Sequence, residues 1–325
     1  MKKICIYGLG AIGGLLAGRL ARAGYQVSAI ARGETLAQVR SQGLQIDTAA
    51  ESYRASITVT DQPADLGHQD LVIISVKATA LDAVARAIAP LIGPQTVVLS
   101  AMNGIPWWFE QGLPEAAQPL NLSRLDASGT IAAAIPSAQV VGCVTHLSAI
   151  TLGAAHVKHI AGNKLMIGEA AGGDTQRLQA LANTLREAGF DTEVTPSIQQ
   201  EIWFKLWGNM TMNPVSFITS ATGERILADP YVRDFLSRCM VEASLVGNQI
   251  GLPISSTPEA RHQVTEKLGA FKTSMLQDLE ANKRIELDAL LAIVIDIADQ
   301  LKVDAPNLQT LFGLTRLKAQ QISLY

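Results

Sequence analysis

Three polar side chains recur at every fourth position of a segment that is otherwise largely aromatic and aliphatic. Lys205, Asn209 and Asn213 lie between Glu201 and Pro214, and on a helix they fall within about 80° of one another. An ammonium and two amides are costly to bury without partners, and asparagine is a weak helix former. A lysine there could donate a proton and the amides could hold a polar ligand. The alternative is a solvent-facing polar face.

A glycine turn near the N-terminus has the spacing of a dinucleotide-binding fingerprint, Gly8-Leu9-Gly10-Ala11-Ile12-Gly13. It follows an apolar strand and opens an apolar helix, which is the context the fingerprint requires. Gly8 allows the tight turn, Gly10 lets the backbone approach a pyrophosphate, and Gly13 lets the helix and strand pack closely. The pyrophosphate would lie at the helix N-terminus. The alternative is a glycine-rich turn without a ligand.

The residue after the second predicted strand distinguishes between the two nicotinamide cofactors. An NAD site has an acidic residue there for the ribose 2′-hydroxyl, whereas an NADP site has an arginine near the 2′-phosphate. Strand Val27–Ile30 is followed by Arg32, and Glu34 comes two residues later. A planar guanidinium suits a phosphate, so the sequence favours NADPH. The alternative is a solvated surface arginine.

The elements that would position these residues alternate in the first half of the chain. Continuous apolar strands alternate with helices, which indicates a parallel sheet covered on both faces. Lys77 and Asn103 follow strands and therefore fall at the carboxyl ends where such sheets bind ligands. We predict strands at Ile4–Tyr7, Val27–Ile30, Leu71–Val76 and Thr96–Leu99, with helices at Gly13–Ala23 and Ala80–Leu91.

The pattern changes in the second half. Short runs between Val140 and Gly168 predict an antiparallel addition to the sheet, and a helix at Thr175–Ala188 and a strand at Phe190–Val194 follow. Beyond Pro196 only helical patterns remain. The fold class is therefore α/β, with an N-terminal Rossmann-type dinucleotide-binding domain of residues 1–195 and an all-helical domain of residues 196–325. The predicted helices of the second domain are Ser197–Thr219, Tyr231–Ile250, Glu259–Glu280 and Ile285–Leu301.

Composition narrows the class of protein. The net charge is −3 and no run of Lys and Arg is present, which argues against nucleic-acid and membrane-surface partners. Three separated cysteines in apolar surroundings, Cys5, Cys143 and Cys239, favour reduced thiols over disulfides or a metal site. We expect a cytoplasmic protein without a metal. The apolar circumference of Ile285–Leu301 predicts either a buried bundle core or a homodimer contact.

Three motifs in order give the chain a resemblance to a known family. The glycine turn comes first, Lys205-Leu206 with Asn209 and Asn213-Pro214 follow, and Ser274-Met275-Leu276-Gln277-Asp278 precedes Ile285-Glu286. By spacing alone, Ser274 could be a surface serine and Glu286 a complement to a helix dipole. Together the motifs resemble the ketopantoate reductase family over nearly the whole chain. That family pairs a Rossmann domain with a helical domain and has its active site in the cleft between them.

The resemblance implies a role for each matching residue. It makes Lys205 the general acid that protonates the developing alkoxide while NADPH delivers hydride, and it makes Glu286 the glutamate that contacts cofactor and substrate hydroxyls. Asn209, Asn213 and Ser274 would bind the substrate, a small 2-keto acid. Lys77 would lie beside the cofactor, and Asn103 beside both cofactor and substrate.

The chain departs from the family pattern near the expected substrate position. The segment 105–139, which begins with Ile105 and contains Trp107 and Trp108, is longer than in compact members, and Thr222-Gly223 stands where Asn-Gly is frequent. The tryptophans could line a pocket or anchor a loop. Two other functions remain open: a 3-hydroxy-acid dehydrogenase of the wider superfamily, and a non-catalytic NADP(H)-sensing protein.

Overall fold

The computed structural model describes residues 1–325 and divides into two compact units. Unit 1 consists of residues 1–102 and 128–198, and unit 2 consists of residues 103–127 and 199–325. The sequence prediction had one boundary, between residues 195 and 196, and it assigned residues 103–127 to the first domain. Unit 1 carries the sheet and unit 2 is built on helices, so the predicted fold class is confirmed.

Unit 1 is built on a ten-stranded sheet. The strands are β1 Lys3–Tyr7, β2 Gln26–Ile30, β3 Leu44–Asp47, β4 Ser52–Ala55, β5 Thr58–Thr60, β6 Leu71–Ile74, β7 Val97–Ser100, β8 Val140–Gly153, β9 His156–Glu169 and β10 Asp191–Val194. Their spatial order is β4-β3-β9-β8-β7-β6-β1-β2-β5, and β10 lies beside β9. The part formed by β1, β2 and β5–β8 is parallel, as predicted, and an antiparallel β8–β9 hairpin extends it.

The β8–β9 hairpin differs from the short runs that the sequence predicted. Each strand has 14 residues, and the register shifts near Leu147, where Gly162 lies opposite at φ +71°. A glycine of positive φ is typical of a β-bulge. Ala161-Gly162-Asn163 therefore continues the strand through an irregularity, although its composition is that of a turn.

The helices of unit 1 cover the sheet. They are α1 Ala11–Arg22, α2 Gly33–Gln42, α3 Leu81–Ala85, α4 Thr130–Ala134 and α5 Gln176–Glu187. The predicted helix Ala80–Leu91 is instead the short α3 with 3₁₀ turns on either side. Pro90 explains the interruption, because it lacks the N–H group that a continuing helix needs.

Unit 2 is a helical bundle. Its elements are α6 Ile198–Thr219, α7 Gly223–Ala228, α8 Pro230–Gln249, α9 Pro258–Glu266, α10 Ser274–Glu280, a π-helical turn Asp288–Ala292 that continues into α11 Ile293–Leu301, and α12 Pro306–Gln321. The predicted helix Glu259–Glu280 is divided between α9 and α10, since Gly269 has φ +65° and Thr273 caps α10. Leu287, Leu291 and Val294 are fully buried, so the bundle core takes up the apolar circumference of the predicted helix Ile285–Leu301.

Segment 103–127 is attached to unit 2 at several points. The Ile105 N–H donates to the Ala289 carbonyl at 2.9 Å, and Trp108 and Phe109 are buried. Arg124 forms a two-pronged ion pair with Asp296, with one N–O distance of 2.8 Å. The burial of Trp108 supports the interpretation that this aromatic cluster anchors the segment.

Three further observations concern the class of protein. Cys5, Cys143 and Cys239 are free and buried. No group of three or more His, Cys, Asp or Glu side chains is arranged to hold a metal ion. None of the helices combines the length and the hydropathy needed to span a bilayer.

A buried carboxylate joins two helices of unit 2. Glu242 on α8 is 7% exposed, and it accepts hydrogen bonds from the Asn307 and Leu308 N–H groups at 3.0 and 2.9 Å, as well as from the Asn307 amide. These N–H groups belong to the first turn of α12, where no intrahelical acceptor exists. Glu242 therefore caps α12 from a neighbouring helix, and its charge complements the positive helix end.

We predict that Glu242→Ala lowers the free energy of unfolding of unit 2 by on the order of 2–3 kcal/mol, because buried donors lose a charged acceptor. Urea unfolding followed by circular dichroism measures the change. The control is Glu280→Ala, which removes an exposed ion pair with Lys272 and should cost less than about 1 kcal/mol. Equal effects of the two variants would contradict the capping role.

Candidate active site

The glycine turn forms an open anion cradle at the N-terminus of α1. Gly8 has φ +102°, and its carbonyl accepts a hydrogen bond from the Ser75 hydroxyl at 2.9 Å. A Cβ atom at Gly13 would lie 2.0 Å from the Gly8 carbonyl oxygen, whereas one at Gly10 would meet nothing within 4 Å. No side chain caps α1 and no acidic residue lies in its first turn. Its unpaired N–H groups and positive dipole end suit a phosphate.

A cavity of about 280 Å³ lies beside this turn in unit 1. Tyr7, Gly8, Arg32, Thr35 and Val84 are among its lining residues. Arg32 is exposed at the start of α2, in the position that the sequence predicts for 2′-phosphate recognition. Glu34, two residues after Arg32, does not line the cavity. Its carboxylate accepts a hydrogen bond from Gln38 at 2.9 Å.

The Tyr7 hydroxyl is a buried polar group at the same cavity, with the Arg32 side chain nearby but no hydrogen bond of good geometry. Burial raises the pKa of this phenol, and the nearby positive charge of Arg32 offsets part of the rise. A buried hydroxyl without a partner is uncommon in folded proteins, and a ligand is one explanation. The sequence analysis did not select Tyr7. Its signal was the presence of a polar-tipped residue, directly before Gly8, in a strand that is otherwise apolar.

Lys77 lies at the carboxyl side of β6 and starts a 3₁₀ turn. It is half-buried and follows Val76, which lines the cavity. The glycine turn, Arg32 and Lys77 thus lie at the carboxyl ends of neighbouring parallel strands of unit 1, as predicted.

The other predicted site residues belong to unit 2, and Lys205 has a defined partner there. Its ammonium donates to the Asn103 side-chain oxygen at 2.9 Å. Lys205 is half-buried, while its helix neighbours Trp203 and Trp207 are fully buried. The polar stripe therefore lies on a helix whose other faces fill the bundle core.

The two asparagines continue the stripe toward α10. Asn209 is half-buried, and Asn213 is 6% exposed. The Asn213 amide lies 3.4 Å from the Ser274 hydroxyl, and Ser274 is the exposed first residue of α10. An amide and a hydroxyl at this spacing can both donate to and accept from a polar ligand.

Glu286 lies one residue before Leu287, where the helix that contains the π turn begins. The sequence instead predicts it inside the first turn of a helix that begins at Ile285. The Glu286 carbonyl accepts the Leu290 N–H at 3.1 Å, and the side chain is half-buried. One turn later, Ala289 accepts the Ile105 N–H, which brings the backbone beside Asn103 to the same helix end. π turns occur frequently at functional sites.

Two family models match the chain, and both describe ketopantoate reductase PanE/ApbA. The first matches residues 4–172, and the second, for the C-terminal part, matches residues 197–319. The chain belongs to the ketopantoate reductase family of oxidoreductases.

Individual relatives agree with this. A 2-dehydropantoate 2-reductase of Mesorhizobium japonicum is 33% identical and is covered over 99% of both chains. A protein of Ralstonia solanacearum MolK2, described as a candidate ketopantoate reductase, has a crystal structure with 47% identity, a TM-score of 0.96 and full coverage of both chains. A D-mandelate dehydrogenase solved with NADH and anilino(oxo)acetate shares the fold at a TM-score of 0.84 and 22% identity, with full coverage of both chains.

We predict that Gly10→Ala and Gly13→Ala fail in different ways. A methyl group at Gly10 enters open space where a pyrophosphate would approach, so the variant should keep its melting temperature and bind nicotinamide cofactors at least tenfold more weakly, about 1.4 kcal/mol. A methyl group at Gly13 collides with the turn and should lower the melting temperature. Thermal unfolding and fluorescence titration with NADPH measure both. Unchanged cofactor affinity of Gly10→Ala would contradict the cradle.

Proposed function

We propose that the protein catalyses the NADPH-dependent reduction of 2-dehydropantoate (ketopantoate) to pantoate, a step of pantothenate and coenzyme A biosynthesis, or of a closely related 2-keto acid. The observation that supports this most is the Lys205 ammonium, held 2.9 Å from a neutral amide oxygen on a stripe of polar residues. The names of several relatives, 2-dehydropantoate 2-reductase, support the substrate class.

NADPH would be held by residues of unit 1. The glycine turn fits a pyrophosphate, since Gly10 leaves open space beside the start of α1. Arg32 and the unpaired Tyr7 hydroxyl at the adjoining cavity suit a 2′-phosphate. We assign Lys77 to the same cofactor, because Lys77 lies in the loop that follows β6, at the edge of the sheet where such sheets bind ligands. Bound NADPH would supply a hydride to the carbonyl carbon and leave as NADP⁺.

Lys205 would supply the proton. When hydride adds to the carbonyl carbon, the π electrons move to the oxygen, and the Lys205 ammonium stabilises that charge and protonates it. The product is a 2-hydroxy acid, and neutral Lys205 regains a proton from solvent. Asn103 orients the ammonium without competing for its proton, since a carboxamide oxygen is a neutral acceptor.

The remaining residues would hold the substrate. Asn209, Asn213 and Ser274 can bind carboxylate and hydroxyl oxygens through neutral groups, and the 3.4 Å contact between Asn213 and Ser274 gives two of them a common orientation. We assign Glu286 to the hydroxyl groups of substrate and cofactor, with Asn103 also beside them. A carboxylate suits that role because it accepts hydrogen bonds from hydroxyls.

Activity measurements distinguish this proposal from two other functions. A 3-hydroxy-acid dehydrogenase also uses a lysine followed by an asparagine on a helix, but it would oxidise 3-hydroxy acids in preference to reducing 2-keto acids. A non-catalytic NADP(H) sensor would bind cofactor without turnover. Two assays distinguish the three: NADPH or NADH oxidation with ketopantoate, other branched 2-keto acids and phenylglyoxylate, and NADP⁺ or NAD⁺ reduction with 3-hydroxy acids. Turnover only in the second assay would indicate the dehydrogenase, and cofactor binding without turnover in either would indicate a sensor.

We also propose a cytoplasmic homodimer. Reduced, buried cysteines are typical of cytoplasmic proteins. For the dimer, neighbouring helices α8 and α12 expose apolar side chains that the bundle core does not use, namely Val241, Leu245, Leu314 and Leu317. Exposed apolar side chains on adjacent helices are a frequent feature of subunit contacts.

We predict that Lys205→Ala lowers turnover by roughly 10²–10⁴-fold, the usual effect of removing a positioned proton donor. NADPH affinity should change little, because the cofactor contacts are assigned to unit 1. Lys205→Arg should restore little activity, since a guanidinium does not give up its proton and has a different shape. Steady-state NADPH oxidation measures turnover, and fluorescence titration measures affinity.

Lys164→Ala and Lys158→Ala are the controls for this experiment. Lys164 pairs with Glu193 at 2.8 Å on the sheet of unit 1, and Lys158 lies on β9. Both variants should keep near-normal rates. If Lys205→Ala retained most of its activity toward every accepted keto acid, Lys205 would not be the general acid.

We predict that the protein binds NADPH more tightly than NADH and that Arg32→Ala removes most of the difference. A charge-assisted contact with the 2′-phosphate contributes on the order of 1.5–3 kcal/mol, or about ten- to a hundredfold in affinity. Titration of each variant with both cofactors measures the ratio. Arg40→Ala, on the same helix but hydrogen-bonded to Val59, is the control. Equal affinities for both cofactors in the unmodified protein would contradict the assignment.

A further inference from the structure

Arg261 on α9 has a positive charge without a counterion. Its guanidinium forms no hydrogen bond or ion pair in the structure, and its buried Nε has no acceptor. The guanidinium lies over the Phe204 ring, whose centroid is 5.4 Å from Cζ. Burial lowers the pKa of Arg261 below its ordinary value, and no acidic side chain counteracts this.

The acidic residues of α9 are already paired elsewhere. Arg233 on α8 binds Glu259 at 2.8 Å and also Glu266. Arg261 lies between these two glutamates in sequence and pairs with neither. A half-buried cation without a partner is unfavourable for the free protein, so its position needs another explanation.

Arg261 lines a small cavity in unit 2. It has a volume of about 90 Å³, and its lining includes Gly208, Asn209, Asn213 and Arg261. A Cβ atom at Gly208 would lie 2.9 Å from the Arg261 Nε and 3.0 Å from one terminal nitrogen. Glycine at position 208 therefore makes room for the guanidinium. No carboxylate lines the cavity, so a bound anion would meet only neutral or positive groups.

The cavity is continuous with the polar stripe of α6. Asn209 and Asn213 belong to both, and Gly208 is three residues after Lys205, which places the two positions on adjacent faces of one helical turn. A ligand group bound by Arg261 of α9 would therefore also meet Asn209 and Asn213 of α6, the helix that carries Lys205.

We propose that Arg261 binds a carboxylate of the substrate. This inference rests on the proposed reduction of a 2-keto acid and names the group that anchors it. A guanidinium presents parallel N–H donors that match the two oxygens of a carboxylate. The carboxylate is either the one adjacent to the reacting carbonyl or the distal one of a dicarboxylic 2-keto acid.

The test compares Arg261→Ala and Arg261→Lys with the control Arg238→Ala, which removes an exposed arginine paired with Asp234 on α8. KM and kcat are measured for monocarboxylic 2-keto acids, for 2-oxoglutarate, and for the methyl ester of the best monocarboxylic substrate. We expect Arg261→Ala to raise KM for acids by about ten- to a hundredfold, with a smaller change in kcat. Arg261→Lys should recover part of the loss, and the control should behave as wild type.

The substrate panel identifies which carboxylate is bound. If the KM of monocarboxylic acids rises and their advantage over the ester disappears, Arg261 binds the carboxylate beside the carbonyl. If only 2-oxoglutarate is affected, Arg261 binds a distal carboxylate. Unchanged KM values for all acids in Arg261→Ala would overturn the proposal.

Two further measurements separate this proposal from a structural role and from the proposed function. Without substrate, Arg261→Ala should melt at the same or a higher temperature, because it removes an unpaired charge. A lower melting temperature with unchanged KM would indicate a purely structural arginine and overturn the proposal. If none of the keto acids supported NADPH oxidation by the wild-type protein, the proposed function would fail. Calorimetric titration with 2-oxoglutarate and 3-methyl-2-oxobutanoate would then decide: binding lost in Arg261→Ala supports the carboxylate site, and no binding to wild type overturns it.

Discussion

The hydrogen bond between the Lys205 ammonium and the Asn103 amide oxygen is the interaction on which the candidate site of unit 2 depends. The Asn103 amide reaches Lys205 because its segment docks on unit 2. There the Ile105 N–H donates to the Ala289 carbonyl, and Arg124 pairs with Asp296. The surroundings of the Lys205 ammonium are thus set by contacts far from it in sequence.

The π-helical turn Asp288–Ala292 lies beside two parts of the candidate site, the segment that carries Asn103 and the residue Glu286. A regular α-helix uses each interior carbonyl for a bond four residues on, whereas the widened turn disturbs that series. Its Ala289 carbonyl accepts the Ile105 N–H, and Gly104, at φ +82°, approaches the same carbonyl too closely for any side chain. Because Glu286 lies one turn earlier, the backbone irregularity fixes Glu286 and Asn103 relative to each other. A less favourable helix turn is therefore retained where it positions polar groups.

The sequence predicted the features that depend on local pattern and missed those that depend on distant partners. The glycine turn was visible because its strand and helix flank it directly, and the Lys205 stripe because amides are rare on an apolar helix. The membership of residues 103–127 in unit 2 was not visible, since Arg124 and Asp296 are 172 residues apart. Arg261 gave no signal, because an arginine on a polar helix is ordinary. Its lack of a counterion is visible only in the structure, where both glutamates of α9 bind Arg233 and the buried Arg261 Nε has no acceptor.

Lys205 and Arg261 are both cations, but their chemistry differs: a lysine suits proton transfer, and an arginine suits binding of an anion. A lysine can lose its proton within the accessible pH range and so can act as an acid, whereas an arginine keeps its charge and can only bind. The groups between them, Asn209 and Asn213, are neutral, so they neither capture the proton nor neutralise the guanidinium. In the free protein this leaves an uncompensated positive charge that opposes folding. Binding of an anionic substrate would compensate it, so the stability given up in the free protein would be recovered as affinity for a carboxylate.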